Sequence, residues 1–142
     1  MTSSWLATIL DQEQIEKYSG VISPRTSDVE RLSDRKGTEV AKELGSRYVV
    51  RYLGANRLTD FLNGTSEVQW VTPTAISPED LAHWLALPDP HFSRTHAILL
   101  DLNFIDVVRG PAWVKLGEGI EYFLPNGFSK AAIVDGRVIE VR

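Results

Sequence analysis

At 142 residues with 43% hydrophobic side chains, the chain suits one compact domain with a real core and has no length for a second. Its 19 acidic and 15 basic residues give a formal charge of -4 with no basic run, which argues against a binder of nucleic-acid backbones and leaves room for a small anionic ligand held by one or two arginines. The absence of cysteine excludes disulfides and thiolate chemistry and is compatible with either side of a cell membrane.

The opening MTSSWLATILDQEQ carries a short apolar patch without a basic leader, a long apolar core or a small-residue cleavage site, so the expectation is a soluble chain with no signal peptide. No stretch reaches transmembrane length. Residues 6–18 have helix-forming composition, with a polar, exposed run from Asp11 to Gln14. After a linker around Gly20, Ser23 and Pro24, the spacing of Ser27 and Glu30 predicts a capped helix that carries Val29 and Leu32 inward. Gly37 weakens or ends it, Thr38 caps a further turn through Val40 and Leu44, and Gly45 stops the helical pattern.

The period then changes. RYVVRYL at Arg47 to Leu53 reads as a strand with Gly54 and Asn56 as exit signals. A short helix over Leu58 to Leu62 and a short strand over Val68 to Thr72 follow, the latter running into Pro73. Ser77-Pro78-Glu79-Asp80 is a strong helix start, and LPDPHFS at Leu87 to Ser93 is a loop. Thr95 to Leu102 is a nearly continuous apolar strand, Phe104 to Val108 another, and Gly110-Pro111 a turn before a brief pairing segment at Trp113 to Leu116. Ile120 to Leu124 is expected to pair with Lys130 to Val134 through Pro125 to Gly127, and Asp135-Gly136 to turn that strand into Val138 to Val141. Helices early and strands late favour an α+β fold, with a helical part over 1–45 and a mainly β part over 46–142.

Several residues can carry chemistry. Arg51, in its strand, can grip a carboxylate or phosphate with two parallel bonds; the plainer reading is a structural ion pair. Trp70 can stack on a planar ligand and Thr72 can orient an acid, or both can serve core and turn. Asp89, His91, His96 and Asp101 follow no specific zinc pattern. No serine has a nucleophile-elbow setting. Glu118 and Glu121 lie in GEGIEYFLPNG, where the glycines at 117 and 119 oppose a helix. Glu121 therefore starts a strand and is the better candidate for accepting a proton or stabilising developing positive charge, against the alternative of a solvated strand-end acid.

Taken in order, Arg51, Trp70 to Pro73, Leu87-Pro88 and the segment Gly117 to Pro125 resemble the ADP-ribosyltransferase-like domains of bacterial polymorphic toxins over about Tyr48 to Val134. The resemblance implies a split β-sheet core that bends NAD across the split, with no metal. It assigns the pyrophosphate side to Arg51, the nicotinamide pocket to Trp70, Thr72 and a nearby tyrosine (Tyr52 or Tyr122), the ribose hydroxyl and charge stabilisation to Glu121, and acceptor positioning to Glu118. Members that modify arginine commonly carry Glu or Gln two places before the catalytic Glu, where this chain has Gly119. The implied activity is thus NAD glycohydrolase, or ADP-ribosyl transfer to a macromolecular acceptor other than arginine, by a secreted or delivered effector acting in a target cell's cytoplasm, with a cognate immunity protein as partner. The competing reading is a non-enzymatic interaction protein, an immunity or adaptor protein whose acidic surface binds a basic partner; a metal-dependent nuclease is a distant third.

Overall fold

The computed structural model describes residues 9–10, 13–14, 33–54, 58–74, 96–114 and 119–140. The helices expected from Ser27 and from Ser77, the loop over Leu87 to Ser93 and Glu118 lie outside the described residues. What is described is α+β, with two helices and three small antiparallel sheets. Among the described residues no helix is long and apolar enough to cross a membrane.

Helix α1 spans Gly37–Leu44 and turns Val40, Ala41 and Leu44 into the core. Contrary to the expected break at Gly37 and cap at Thr38, Gly37 is the first helical residue and Lys36 occupies the cap position without a side-chain bond. Close packing selects the glycine: an added Cβ would overlap the carbonyl oxygens of Leu102 and Ile105. At the other end, Gly45 adopts a left-handed φ of 71° and its N–H bonds back to the Lys42 carbonyl, as its sequence position predicts.

Strand β1 (Tyr48–Leu53) is followed by α2 (Leu58–Phe61), β2 (Gly64–Thr65) and β3 (Gln69–Val71). Then come β4 (His96–Asp101), a 3-10 turn at Leu102–Phe104, and β5 (Arg109–Trp113). The chain closes with β6 (Ile120–Leu124), β7 (Phe128–Ser129), a 3-10 turn at Lys130–Ala132 and β8 (Ile133–Glu140). The sheets have the orders β1-β4-β8, β2-β7 and β3-β6-β5. A bridge between Val50 and Thr72, with N–H to O distances of 2.8 and 3.0 Å in the two directions, stitches the edge of the first sheet to the edge of the third. The N-terminal segment is tied in by Leu10, whose N–H donates to the Pro73 carbonyl at 2.9 Å.

Four sequence expectations change. Phe104 to Val108 is a 3-10 turn and an extended link, with Val108 bridged to Arg35. Gly110-Pro111 does not turn the chain; it lies inside β5, joined by a cis peptide bond. Lys130 to Val134 does not pair with β6, whose partners are β3 and β5; instead Phe128–Ser129 pairs with β2. Asp135-Gly136 makes no hairpin, because β8 runs through it against β4, with Ile98 opposite Val138 and Leu100 opposite Ile133. The extra β8 residues between those pairs are taken up as an irregularity, so turn-forming residues serve as a bulge.

The main core gathers Val40 and Leu44 of α1, Val49 and Leu53 of β1, Phe61, Val71, Ile98 and Leu100, and Ile120, Tyr122 and Leu124 of β6. Since strand side chains alternate, β6 is left with a second face carrying Glu121 and Phe123. Phe123 accordingly belongs to a separate small cluster with Ala112 of β5.

Candidate functional site

The second face of the β3-β6-β5 sheet is the candidate site. Cross-strand partners share a face, and the ladders place Ala112 opposite Glu121 on one side of β6 and Trp70 opposite Phe123 on the other. Val71 faces Tyr122 at the end of that ladder, and Thr72, two places past Trp70, keeps Trp70's face by strand alternation. One row pairs Glu121 with Ala112, with Thr72, itself bridged to Val50, on the same face. A second row lies beside it: the Trp70 and Phe123 rings are tilted at 49° with centroids 4.7 Å apart, and the Arg109 guanidinium lies 5.9 Å from the Phe123 centroid.

Thr72 and Ala112 are buried and Glu121 is half-buried. Glu121 makes no hydrogen bond or ion pair among the described residues. Burial favours the uncharged acid, and it pushes the Glu121 carboxyl from its ordinary 4.5 up to about 7. Such a group is divided between acid and carboxylate near neutral pH. The Thr72 hydroxyl accepts the Thr74 N–H at 3.2 Å, which fixes its rotamer. Trp70 is 38% exposed and offers a ring at the edge of the row.

The sequence-predicted residues divide between the two faces. Glu121, Thr72 and Trp70 fall on one face of the sheet by strand parity. Arg51 does not join them. It shares its strand face with Val49 and Leu53, which face the main core, and its guanidinium donates to Gln69 Oε1 at 2.9 Å and to the Tyr52 carbonyl at 3.1 Å while lying 6.0 Å from the Phe61 centroid. Tyr122 is likewise a core residue with no exposed surface. Tyr52 is buried, with its hydroxyl 3.4 Å from the Thr74 carbonyl. Ring stacking on this face therefore falls to Trp70 rather than to a tyrosine. The residue missed from sequence is Arg109, whose position beside Gly110-Pro111 read as a turn.

No family model, curated protein or solved structure matches the chain.

Other polar clusters have structural work. Asp101 accepts from Arg47 Nε at 2.9 Å and from the Asn103 N–H at 2.9 Å, capping the 3-10 turn. It is thereby occupied as an ion-pair and cap residue. Among the described residues no group of three metal-ligating side chains occurs; Asp89 and His91 lie outside them. A depression of about 580 Å³ beside Leu10, Lys42, Ser46, Arg47 and Tyr48 shares no residue with the Glu121 face. It is lined from the end of α1 and carries no acid positioned as Glu121 is.

Proposed function

We propose that the chain is an NAD-consuming domain, a glycohydrolase or a transferase to an acceptor other than arginine, with Glu121 as the carboxylate at the reacting ribose. The observation that carries the reading is the half-buried Glu121 on a central strand, sharing its face with Thr72 and Trp70. In this reading the nicotinamide ring stacks on Trp70 and the ribose lies over Glu121. The bond between the anomeric carbon and the pyridinium nitrogen breaks with its electron pair passing to nitrogen, which releases neutral nicotinamide. The sugar left behind develops positive charge, and a desolvated carboxylate is well suited to stabilise it. Water or an acceptor oxygen then bonds to the anomeric carbon and gives up a proton. Holding the substrate in one orientation supplies the remaining advantage.

The acceptor-side role of Glu118 remains part of the proposal, while Arg51, which is hydrogen-bonded within the fold, and the buried Tyr52 and Tyr122 are left out of it. A second reading has one observation in its favour: Val68 and Trp70 are both exposed near the same edge, as an interaction protein would need. Incubation with NAD separates the two. Free nicotinamide that appears with the native chain and is lost in Glu121→Gln supports the enzyme; native chain that leaves NAD intact, alone and with cell lysate as acceptor source, would sink it.

A further inference from the structure

We propose that Arg109 holds the anionic diphosphate part of the substrate at the Glu121 face. The proposal takes the identity of the substrate from the NAD reading and the choice of residue from the geometry.

Trp113 is opposite Ile120 and Ala112 opposite Glu121, so an unbroken ladder would place Gly110 opposite Phe123. Instead Arg109 takes that position, which means β5 carries one extra residue between Arg109 and Ala112. A shift of one residue exchanges the faces of a strand. Without it Arg109, three places from Ala112, would point toward the main core; with it, Arg109 stands on the face of Phe123 and Glu121. The position of the guanidinium near the Phe123 ring agrees with this.

The bulge is built into the sequence at Gly110. Its φ of 130° is one that side-chain-bearing residues rarely adopt, and a Cβ there would lie 2.9 Å from the Tyr122 ring. The same close approach lets β5 carry its extra residue without leaving β6. The cation that results sits about 7 Å along the strand from the Glu121 row, taking two residues at ~3.4 Å each. That separation suits a ligand with its reacting sugar over Glu121 and its phosphates one row away. Burial is the cause of the raised Glu121 pKa.

Arg109 has a counter-ion that a ligand can replace. Its Nε donates to Asp34 Oδ1 at 2.5 Å, and the Asp34 side chain is 59% exposed against 26% for Arg109. The segment bearing Asp34 is pinned beside β5, since Arg35 and Val108 exchange backbone bonds at 2.9 and 2.8 Å and Arg35 Nη2 donates to the Gly110 carbonyl at 3.2 Å. Asp34 thus orients the guanidinium and competes with an incoming anion. A diphosphate presents more negative charge in the geometry a guanidinium matches.

Opposing substitutions test this on the full chain. Inorganic pyrophosphate is titrated into native protein, Arg109→Gln, Arg109→Lys and Asp34→Asn by calorimetry, and KM and kcat for NAD are measured in parallel. Arg109→Gln is expected to weaken pyrophosphate binding and raise KM about tenfold or more, with a smaller effect on kcat. Arg109→Lys recovers part of the loss, and Asp34→Asn tightens binding a fewfold, a gain that misfolding cannot imitate. Native protein that fails to bind pyrophosphate, or Arg109→Gln that binds as the native chain does, overturns the assignment. Arg109-dependent pyrophosphate binding without NAD turnover would retain this residue and discard the NAD reading; NAD turnover indifferent to Arg109 would do the reverse.

Discussion

Glu121→Gln should raise stability at alkaline pH while removing activity. Burial lifts the carboxyl from 4.5 to about 7, so between those values the folded chain holds a proton that the unfolded chain has released. Proton uptake by the folded state makes stability fall as pH rises through this window, and the loss is complete above about 7. At ~1.36 kcal/mol per pH unit the gap corresponds to about 3 kcal/mol at most. Water reaching a half-buried group reduces this to about 1–2 kcal/mol. Glutamine keeps the shape without the charge, so thermal melts of both proteins from pH 5 to 8.5 should show the mutant gaining about 3–8 °C on the native chain toward the alkaline end. Nicotinamide release should fall by about 10²–10³, and in the native chain it should rise with pH through about 7 as the carboxylate forms. A melting difference that is the same at pH 5 and pH 8.5 would refute the argument from burial.

Other substitutions separate the two faces of the sheet. Gly37→Ala should cost about 3 kcal/mol or more, because its Cβ meets two backbone carbonyls that cannot swing aside; chemical denaturation measures it. Arg51→Gln should lower stability by about 1–2 kcal/mol through loss of its bonds to Gln69 and Tyr52 and act less on the KM for NAD, a comparison of melts with kinetics that reverses if Arg51 binds substrate. Trp70→Ala should raise the KM for NAD about fivefold or more by removing a stacking ring, with Trp70→Phe restoring most of it.

Much of the fold is legible where a local pattern has one physical meaning. The apolar run of β4, the β-branched and aromatic run of β1 and the segment of β6 each read as strands and form strands. Gly45 reads as a helix stop and is one. The failures fall where the same residues serve two structures. Gly110-Pro111 and Asp135-Gly136 have turn chemistry, yet backbone that bends away from a ladder also accommodates a bulge within it, and only the partner strand decides between them. Gly37 reads as a helix breaker because propensity is local, whereas its actual requirement comes from Leu102 and Ile105 far along the chain. For the site, the sequence identifies Glu121, Thr72 and Trp70 as residue types suited to one ligand but not the parity that puts them on one face. The same missing parity explains Arg51, which shares the face of Val49 and Leu53, and Arg109, which comes to the face of Glu121 through one extra residue.

A carboxyl raised by burial is tolerable only if its neighbours hold the strand in place. Ile120, Tyr122 and Leu124 are fully buried on the opposite face of β6, each contributing about 1.5–3 kcal/mol by its removal from water. Together these exceed the cost of keeping Glu121 charged on the second face. A one-residue slip of β6 would send those three side chains outward and the carboxylate into the core, so the hydrophobic effect that builds the sheet also fixes where the acid points. With β3 and β5 paired on either side, Glu121 has no edge toward which to relax and take up water. Pairing on both sides thus holds Glu121 in the half-buried position that raises its pKa.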